Sequence, residues 1–324
     1  MTDKLKVALI GCGRMGYSWD KGIVGKDSRS HFSAIMKSQD FELVCIAEKN
    51  LQTREEITSN HGIPSFSDYR KMLFSMKKLD LVVVATPDET HSEILMNLVS
   101  FKPKCVFAEK PLAIGSKKST MIARAYISSG IDLIINFSRR FLPKFETLRE
   151  NILSQYFGEP LSMTIHFSGS VQHNGIHFLD LANWFFGKPI ESSITASNFH
   201  LNSEKHQNDS FSMHLSYETG MSLNLIGVGI NAPSLHEIDF IGTKGRFRVT
   251  TNGILIEYGL KEFQEFPDFH FYEEIERSNI NYASSLPNAY FALSKCITKG
   301  EAPDRKPEVC VELSFLIEKA LGID

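Results

Sequence analysis

The chain has 324 residues, which is long for one hydrophobic core and suits two domains. Hydrophobic residues make up 42% and charged residues 23%, and the formal net charge is -3. This composition is ordinary for a globular protein and gives no electrostatic reason to expect nucleic acid or an acidic membrane surface as a partner.

Cysteine usage and hydropathy bear on the compartment. The five cysteines are scattered and form no CxxC pair, so they do not resemble a disulfide framework, and a reducing compartment fits best. The sequence shows no export signal and no apolar stretch near the ~18 residues that span a bilayer. We therefore expect a cytoplasmic protein with no membrane partner.

The first third of the chain alternates short apolar runs with helical patterns. The predicted strands are residues 4–10, 41–47, 79–85, 104–108 and 132–137, and the predicted helices are residues 30–38, 51–60, 69–76, 89–100 and 116–128. The run at 79–85 is apolar on both faces, as in a buried parallel strand. This alternation predicts βαβ units and a doubly wound parallel sheet of the α/β class.

The pattern changes near Pro143. Predicted strands at 161–168, 190–199, 211–217, 221–228 and 236–241 follow, and predicted helices lie at 144–153, 175–186, 282–298 and 308–321. Glycine-containing turn signals between strands indicate a mostly antiparallel sheet. We predict a Rossmann domain over residues 1–122 and an α+β domain over residues 123–324, with the closing helix as a candidate to pack back on the first domain.

A glycine-rich turn follows the first predicted strand. Residues 11–16 read GCGRMG, which matches G-x-G-x-x-G directly after the strand KVALI. In a dinucleotide site, Gly11 permits the tight turn, Gly13 lets the backbone approach a pyrophosphate, and Gly16 lets helix and sheet pack closely. The next helix would offer free N–H groups to the phosphates. The alternative is a glycine-rich surface turn with no ligand.

An acidic residue ends the second predicted strand. Glu48 follows LVCIA and could bind the adenosine ribose, although it lies 32 residues after Gly16 rather than the usual ~20. The excess length is an insertion at residues 17–29, which we interpret either as part of the substrate pocket, using Trp19, Asp20 and Lys21, or as a plain surface loop. Glu48 favours NAD over NADP because a carboxylate repels a 2′-phosphate, while Lys49 beside it argues the other way and leaves NADP open.

Three further sequence motifs follow the glycine turn in order along the chain. Residues 86–91 read TPDETH, residues 109–111 read EKP, and residues 174–180 read NGIHFLD. With the glycine turn and the NFSRRF segment at 136–141, they resemble the glucose–fructose oxidoreductase, inositol dehydrogenase and rhizopine-catabolism (Gfo/Idh/MocA) family along nearly the whole chain.

The resemblance implies a Rossmann domain plus an open-faced sheet domain that often forms dimers or tetramers. It implies NAD(P) as cofactor and a sugar, a sugar derivative, possibly nucleotide-linked, or a cyclitol as the small-molecule substrate. The residues expected at the cofactor are Gly11, Cys12, Gly13, Arg14, Met15, Gly16, Glu48, Thr86, Pro87, His91, Glu109, Lys110 and Asn136. The residues expected at the substrate are Arg140, His173, Asn174 and Asp180.

In the family, the lysine of Glu-Lys-Pro and the histidine of the Gly-x-His segment flank the reacting carbon, and they correspond to Lys110 and His177. Alcohol oxidation needs a base, and an imidazole with a usual pKa of ~6.5 suits that task. A lysine can hydrogen-bond the hydroxyl oxygen and stabilise developing alkoxide character. Asp180 lies one helical turn after His177, where it could bind a substrate hydroxyl or steady the imidazole.

The sequence departs from the family pattern at His173, where relatives commonly carry aspartate. His173 could share a proton with His177, contact substrate or point away. Because no Glu lies between the two histidines in the HExxH manner, we expect no metal there.

The sequence also bears on three other classes of function. The only Tyr-x-x-x-Lys pattern, Tyr17 to Lys21, directly follows the glycine turn, which argues against a short-chain dehydrogenase. An NAD-dependent glycoside hydrolase on the same scaffold remains an alternative. A non-catalytic sugar or nucleotide sensor is disfavoured because Lys110 and His177 are both retained.

Overall fold

The fold is described from a computed structural model over residues 3–21, 28–76, 78–197, 210–303 and 306–322. The chain divides into two compact units. The first comprises Met1–Phe141 and Ala283–Ser314, and the second comprises Leu142–Tyr282 and Phe315–Asp324. The division falls after Phe141 rather than after residue 122, because the strand Asp132–Ile135 pairs in parallel with Cys105–Ala108 and completes the first sheet.

The first unit is built on a six-stranded parallel sheet in the order β3-β2-β1-β4-β5-β6. Its strands are β1 (Leu5–Ile10), β2 (Phe41–Ala47), β3 (Ser65–Phe66), β4 (Leu81–Val84), β5 (Cys105–Ala108) and β6 (Asp132–Ile135). Every residue of β4 and β5 is buried, which explains their continuous apolar sequences. The doubly wound parallel sheet predicted from the sequence is confirmed.

Helices connect these strands. They are α1 (His31–Lys37), α2 (Leu51–His61), α3 (Tyr69–Ser75), α4 (Asp88–Phe101) and α5 (Ser116–Ser129). Side-chain caps define where several begin: the Ser30 side chain accepts from the Ser33 N–H at the start of α1, and that of Asn50 accepts from the Thr53 N–H at the start of α2.

The first unit also contains a late helix, α8 (Ser285–Lys299). Its buried residues Leu286, Ala289, Tyr290 and Leu293 join the same hydrophobic cluster as Val7 and the neighbouring strands. The last helix, α9 (Pro307–Leu321), is divided between the units after Ser314. It is therefore chiefly the helix before the last that packs back on the Rossmann sheet.

The second unit is built on an eight-stranded sheet in the order β14-β13-β12-β11-β7-β10-β9-β8. Its strands are β7 (Pro160–Phe167), β8 (Glu191–Ser197), β9 (Phe211–Ser216), β10 (Ser222–Gly227), β11 (His236–Gly242), β12 (Gly245–Val249), β13 (Ile254–Glu262) and β14 (His270–Asn279). Among the strand pairs in the described part of this unit, only β7–β10 is parallel, which confirms the prediction of a mostly antiparallel sheet.

Two helices, α6 (Pro143–Leu153) and α7 (Ile176–Phe186), belong to this unit. The ring of Phe178 on α7 lies 6.3 Å, centroid to centroid, from the ring of Phe167 on β7, which places α7 against the sheet. Residues 198 and 199 of the predicted strand 190–199 lie outside the described residues.

Strands β12, β13 and β14 are absent from the sequence prediction. Most of β14 is exposed, and its sequence HFYEEIERSN mixes charged and apolar residues without the alternation that marks a half-buried strand. In the described ranges, no helix is long and apolar enough to cross a membrane.

Candidate active site

The glycine turn joins β1 to the residues that lead to α1. Gly11 has φ +90°, and a Cβ there would lie 2.5 Å from the carbonyl oxygen of Ala85, so this position requires glycine. A Cβ on Gly16 would overlap the carbonyl oxygen of Gly11. By contrast, Gly13 is exposed and a Cβ on it would meet nothing within 4 Å, so the turn presents bare backbone on an open side, as a pyrophosphate requires.

Glu48 is tied to this turn. One carboxylate oxygen, Oε2, accepts the Cys12 N–H at 2.7 Å, and Oε1 accepts the Asn50 N–H at 2.8 Å. Each oxygen can accept a second hydrogen bond, so the carboxylate remains suited to ribose hydroxyls. Lys49 beside it is exposed.

Hydrogen bonds and an ion pair hold the described residues of the insertion that follows the turn. The Asp20 carboxylate accepts from the backbone N–H groups of Arg29 and Ser30 and from the Ser30 hydroxyl, the last at 2.6 Å. Lys21 forms an ion pair with Glu56 at 2.5 Å, and the Tyr17 hydroxyl donates to the same carboxylate. Asp20 and Lys21 thus make internal contacts, while residues 22–27 lie outside the described part of the chain.

His91 on α4 connects two loops. Its Nδ1 lies 2.7 Å from the Pro111 carbonyl oxygen, its Nε2 lies 2.9 Å from the Thr86 carbonyl oxygen, and the side chain is fully buried. The imidazole therefore ties the loop after β4 to the loop after β5. The Thr86 hydroxyl accepts from Thr90, and Pro87 precedes the first residue of α4.

Glu109, directly after β5, lies at the centre of a buried polar network. Its Oε1 lies 2.9 Å from His31 Nε2 and accepts from Asn136 Nδ2 at 2.7 Å, and His31 Nδ1 lies 3.0 Å from the Tyr290 hydroxyl. Burial acts to raise the pKa of Glu109, but the hydrogen bond and charge of His31 and the hydrogen bond of Asn136 outweigh it, so its pKa falls below the ordinary value. Glu109 is therefore a carboxylate near neutral pH.

Lys110 is the next residue and is also buried. Burial lowers the pKa of its ammonium group, and the charges of Glu109 and Asp88 oppose part of that effect. The result is an ammonium that is more acidic than an exposed lysine, held beside a carboxylate. Such a group can donate a hydrogen bond to an alcohol oxygen and exchange a proton with it.

The residues at this edge of the sheet fit a dinucleotide. Within the described residues, the buried Oδ1 of Asn136 has no hydrogen-bond partner, while Nδ2 of the same amide is fixed by Glu109. An acceptor at this position suits an amide N–H of a bound group. Together with the open backbone at Gly13 and the anchored Glu48, it supplies polar groups for a phosphate, a ribose and an amide.

Arg140 is buried in a short 3-10 helix, Ser138–Phe141, that follows β6 in the first unit. The other expected substrate residues are in the second unit. Arg140 therefore does not share a structural unit with them.

The second unit carries the remaining site residues around the start of α7. A π-helical turn, Val171–Gly175, precedes the helix, and the Ser170 hydroxyl accepts the His173 N–H. The side chain of His173 is exposed, and the Asn174 amide donates to the Ser168 carbonyl oxygen at 2.7 Å.

His177 is half-buried, and Asp180, one helical turn later, is buried. The structure therefore brings His173, Asn174, His177 and Asp180 together on two consecutive helical turns. Within the described ranges, no group of three or more His, Cys, Asp or Glu side chains is placed to hold a metal ion.

Sequence reasoning missed two members of the Glu109 network, His31 and Tyr290. His31 follows the helix cap Ser30, and Tyr290 lies in an amphipathic helix. No local pattern connects them to Glu109, which is 78 residues from His31. A histidine at the start of the helix that follows the glycine turn was the one available signal.

A doubly wound sheet with a glycine turn, an acidic residue after β2 and a buried Glu–Lys pair after β5 defines a dinucleotide-binding oxidoreductase. The chain belongs to the Gfo/Idh/MocA family: residues 5–137 match its oxidoreductase domain with an NAD-binding Rossmann fold, and residues 157–308 match its C-terminal alpha/beta domain. It is accordingly an NAD-dependent oxidoreductase of the dehydrogenase type.

Several characterised proteins are similar to it. The scyllo-inositol 2-dehydrogenase (NAD(+)) of Bacillus subtilis is 22% identical, over 100% of this chain and 93% of that protein. The glucose-6-phosphate 3-dehydrogenase of the same organism is 25% identical over 51% of this chain and 53% of its own length. An oxidoreductase from Agrobacterium radiobacter, solved with NAD+, L-tartaric acid and magnesium, has the same fold with a TM-score of 0.76, at 16% identity over 99% of this chain and 96% of that one.

Proposed function

We propose that this protein transfers a hydride between NAD and a secondary carbon of a polyol, either a sugar, a sugar derivative, possibly nucleotide-linked, or a cyclitol. The observation that carries the proposal is the buried Glu109–Lys110 pair at the end of β5, in the same unit as the glycine turn. When bound, NAD+ supplies a hydride acceptor at nicotinamide C4. The residues Gly11–Gly16 and Glu48 would hold its pyrophosphate and ribose, and Asn136 would accept from its amide.

Lys110 would act on the oxygen of the reacting carbon. A hydroxyl gains negative charge on its oxygen as the carbon loses hydride, and an ammonium beside that oxygen stabilises the charge. Since burial lowers the pKa of Lys110, its proton is shared with such an oxygen more readily than that of a surface lysine.

His177 would receive the hydroxyl proton in the oxidation direction and return it in the reduction direction. A neutral imidazole is needed for the first task, so oxidation should gain rate as the pH rises through the pKa of the base. Asp180, on the same face of α7 one turn later, would steady the imidazole or accept a substrate hydroxyl.

The chemistry of the second unit supports a polyol. His173, Asn174, His177 and Asp180 provide a cluster of hydrogen-bonding groups on consecutive turns. A substrate rich in hydroxyl groups satisfies such groups, whereas an apolar substrate would leave them unpaired at considerable cost. The two sugar and inositol dehydrogenases described above act on molecules of this chemical class.

A substrate panel tests this proposal. The protein would be incubated with NAD+ and myo-inositol, scyllo-inositol, free hexoses, hexose phosphates, uronic acids, and UDP- or CMP-linked sugars, and NADH formation would be followed by absorbance. We expect turnover with one class of polyol and none with simple apolar secondary alcohols. Failure to bind NADH or NADPH, or turnover restricted to apolar alcohols, would contradict the proposal.

His173 is proposed to tune the choice of substrate. Its imidazole stands where relatives commonly carry a carboxylate, so it no longer provides a permanent anion to accept hydroxyl protons, and when protonated it attracts an anionic substituent. His173→Asp should therefore shift the order of substrates toward neutral polyols, with the larger change in KM. If the panel gives the same order for both proteins, His173 has no part in specificity.

A further inference from the structure

The network behind Glu109 is more extensive than the cofactor site requires, and its outer members come from distant parts of the chain. His31 is the first residue of α1, Tyr290 lies in α8, and both side chains are buried. They are joined to each other at 3.0 Å and, through His31, to Glu109 at 2.9 Å. The polar chain Tyr290–His31–Glu109 thus runs from the core of the first unit to the residue before Lys110.

The direction of each hydrogen bond follows from the chemistry of its partners. An ionised carboxylate only accepts, so the His31 nitrogen that faces Glu109, Nε2, must carry a hydrogen. When the imidazole is neutral, Nδ1 accepts from the Tyr290 hydroxyl, and when it is protonated, Nδ1 donates to the phenol oxygen. Burial, with a smaller contribution from the charge of Glu109, raises the pKa of Tyr290 well above its usual value, so this phenol keeps its proton.

The packing leaves the imidazole little freedom to turn. The His31 ring makes edge contacts with Phe107 on β5, at 5.4 Å between centroids, and with Tyr290, at 6.0 Å. Phe107 lies on β5, two residues before Glu109. The position of the His31 ring is therefore fixed by its contact with β5, the strand that ends next to Glu109.

We propose that His31 and Tyr290 are positioning residues for the hydride-transfer site: they hold Glu109 ionised and oriented, and Glu109 in turn fixes the Asn136 amide and the charge beside Lys110. This inference rests on the proposed function of Lys110, and it extends the working site to two residues that are buried in the first unit. A carboxylate with one fewer donor would ionise less readily in the same buried position.

The consequence is a pH effect that originates at Glu109. The charged and titratable groups that act on the Glu109–Lys110 pair come from separate elements: His31 on α1, Asp88 on α4, Arg139 in the 3-10 helix after β6, and Tyr290 on α8. If Glu109 takes up a proton, the carboxylate that accepts from the Asn136 amide is lost and Lys110 loses the nearest anion beside it. In the reduction direction His177 must carry its proton and does not limit the rate in acid, so there activity should decline on the acid side at a higher pH in a variant without the His31 donor than in the wild type.

The test compares His31→Leu, His31→Gln and Tyr290→Phe by their rates as a function of pH. Gln keeps an N–H donor that can reach Glu109, whereas Leu keeps only bulk. We expect the acid limb of the kcat profile for the reduction direction to move upward by about one to two pH units in His31→Leu, the equivalent of one charge-assisted hydrogen bond. The shift should be smaller in Tyr290→Phe and largely absent in His31→Gln.

Tyr126→Phe provides a matched control. Tyr126 is a buried tyrosine of the same unit whose hydroxyl donates to the Leu95 carbonyl oxygen at 2.9 Å, outside the Glu109 network. Its loss should lower stability much as Tyr290→Phe does and leave the position of the acid limb unchanged. An unshifted limb in His31→Leu, or an equal shift in Tyr126→Phe, would overturn the positioning role.

A measurement without substrate or cofactor separates this inference from the proposed function. In the free protein, ¹⁵N-histidine NMR should show His31 with its hydrogen on Nε2, and ¹³C NMR of Glu109 should show a higher pKa in His31→Leu than in the wild type. Hydrogen on Nδ1 instead, or an unchanged Glu109 pKa, would overturn the inference. Absence of NADH binding or of turnover in the wild type would instead contradict the proposed function.

Discussion

At the scale of single residues, Glu48 and Glu109 are both carboxylates at strand ends, but their surroundings differ. Glu48 is half-buried and accepts two backbone N–H groups, whereas Glu109 is buried and accepts from two side chains. The Glu48 carboxylate faces the glycine turn, which is open beside Gly13, whereas the Glu109 carboxylate faces the interior of the first unit. Their substitutions should therefore affect different measurements.

Glu48→Gln should change the choice between the two nicotinamide cofactors. The wild type should bind NADH more tightly than NADPH because the Glu48 carboxylate repels a 2′-phosphate. Replacing the carboxylate by an amide should reduce the ratio of the two affinities by about tenfold, or about 1.4 kcal/mol. Fluorescence titration with each cofactor measures this.

Lys49→Ala is the companion variant. Lys49 is exposed beside Glu48, and its removal should weaken NADPH binding without strengthening NADH binding. A wild type that prefers NADPH would contradict the role assigned to Glu48 and would assign the preference to Lys49.

Lys110→Met and His177→Ala should each lower kcat by about 10²–10⁴ while cofactor affinity changes little, since both residues are expected to act at the reacting carbon. Methionine is chosen because it fills about the same volume as the aliphatic part of the buried lysine side chain. Steady-state kinetics and NADH titration make the comparison. Lys104→Ala is the control, because Lys104 is an exposed lysine that flanks the other end of β5 and forms a salt bridge with the half-buried Asp80. Turnover near the wild-type rate in either active-site variant would refute the assigned role.

At the scale of elements, the insertion between the glycine turn and α1 depends on Asp20. Its carboxylate accepts three hydrogen bonds from residues that begin α1. Burial acts to raise the pKa of Asp20, but hydrogen bonds from the Ser30 hydroxyl and from the Arg29 and Ser30 amides outweigh it and lower the pKa. Asp20 is thus an internal anchor for the base of this segment.

Asp20→Ala should lower the free energy of unfolding by about 1 kcal/mol at neutral pH, the usual magnitude for a lost capping acceptor. Because the folded pKa is depressed, the stabilisation by the ionised Asp20 is present above about pH 4 and is lost as the pH falls through the folded pKa. The stability difference between wild type and Asp20→Asn should therefore shrink in acid. Denaturant unfolding at several pH values measures it, and a difference that stays constant with pH would disprove the contribution of the charge.

Sequence patterns predicted elements well where one local signal dominated. The strands β4 and β5 are continuous apolar runs, β1, β2 and β6 are apolar apart from one charged residue each, and α2 begins at a capping Asn and ends at a left-handed Gly. The exposed strand β14 has no such signal, because its stability comes from pairing with β13 rather than from a buried face.

The candidate site likewise contains some residues that local sequence patterns predict and others that they do not. The motif residues Lys110 and His177 were identified by their order along the chain, whereas Tyr290 entered the network through a contact across 259 residues. Local pattern contains no information about a partner at that distance.

At the scale of the whole molecule, all five cysteines lie in the described part of the chain, where they are buried and form no disulfide bond. Burial raises the pKa of Cys45 to about 12, so little thiolate is present there at neutral pH. Titration with a thiol reagent should therefore detect almost no reactive thiols in the native protein and all five after denaturation. Reductant should leave the melting temperature unchanged. Rapid reaction of any thiol in the native state would contradict the described burial.

The return of the chain to its first unit has a consequence during synthesis. All six strands of the Rossmann sheet precede Phe141, yet the helix that supplies Leu286, Tyr290 and Leu293 to its core lies beyond Ala283. At about 5–20 residues per second, a ribosome needs roughly 7 to 30 s to cover the intervening residues. During that interval the nascent sheet lacks the apolar side chains of α8 and His31 lacks the Tyr290 hydroxyl, so the first unit should complete its core only after residues 285–293 have been synthesised.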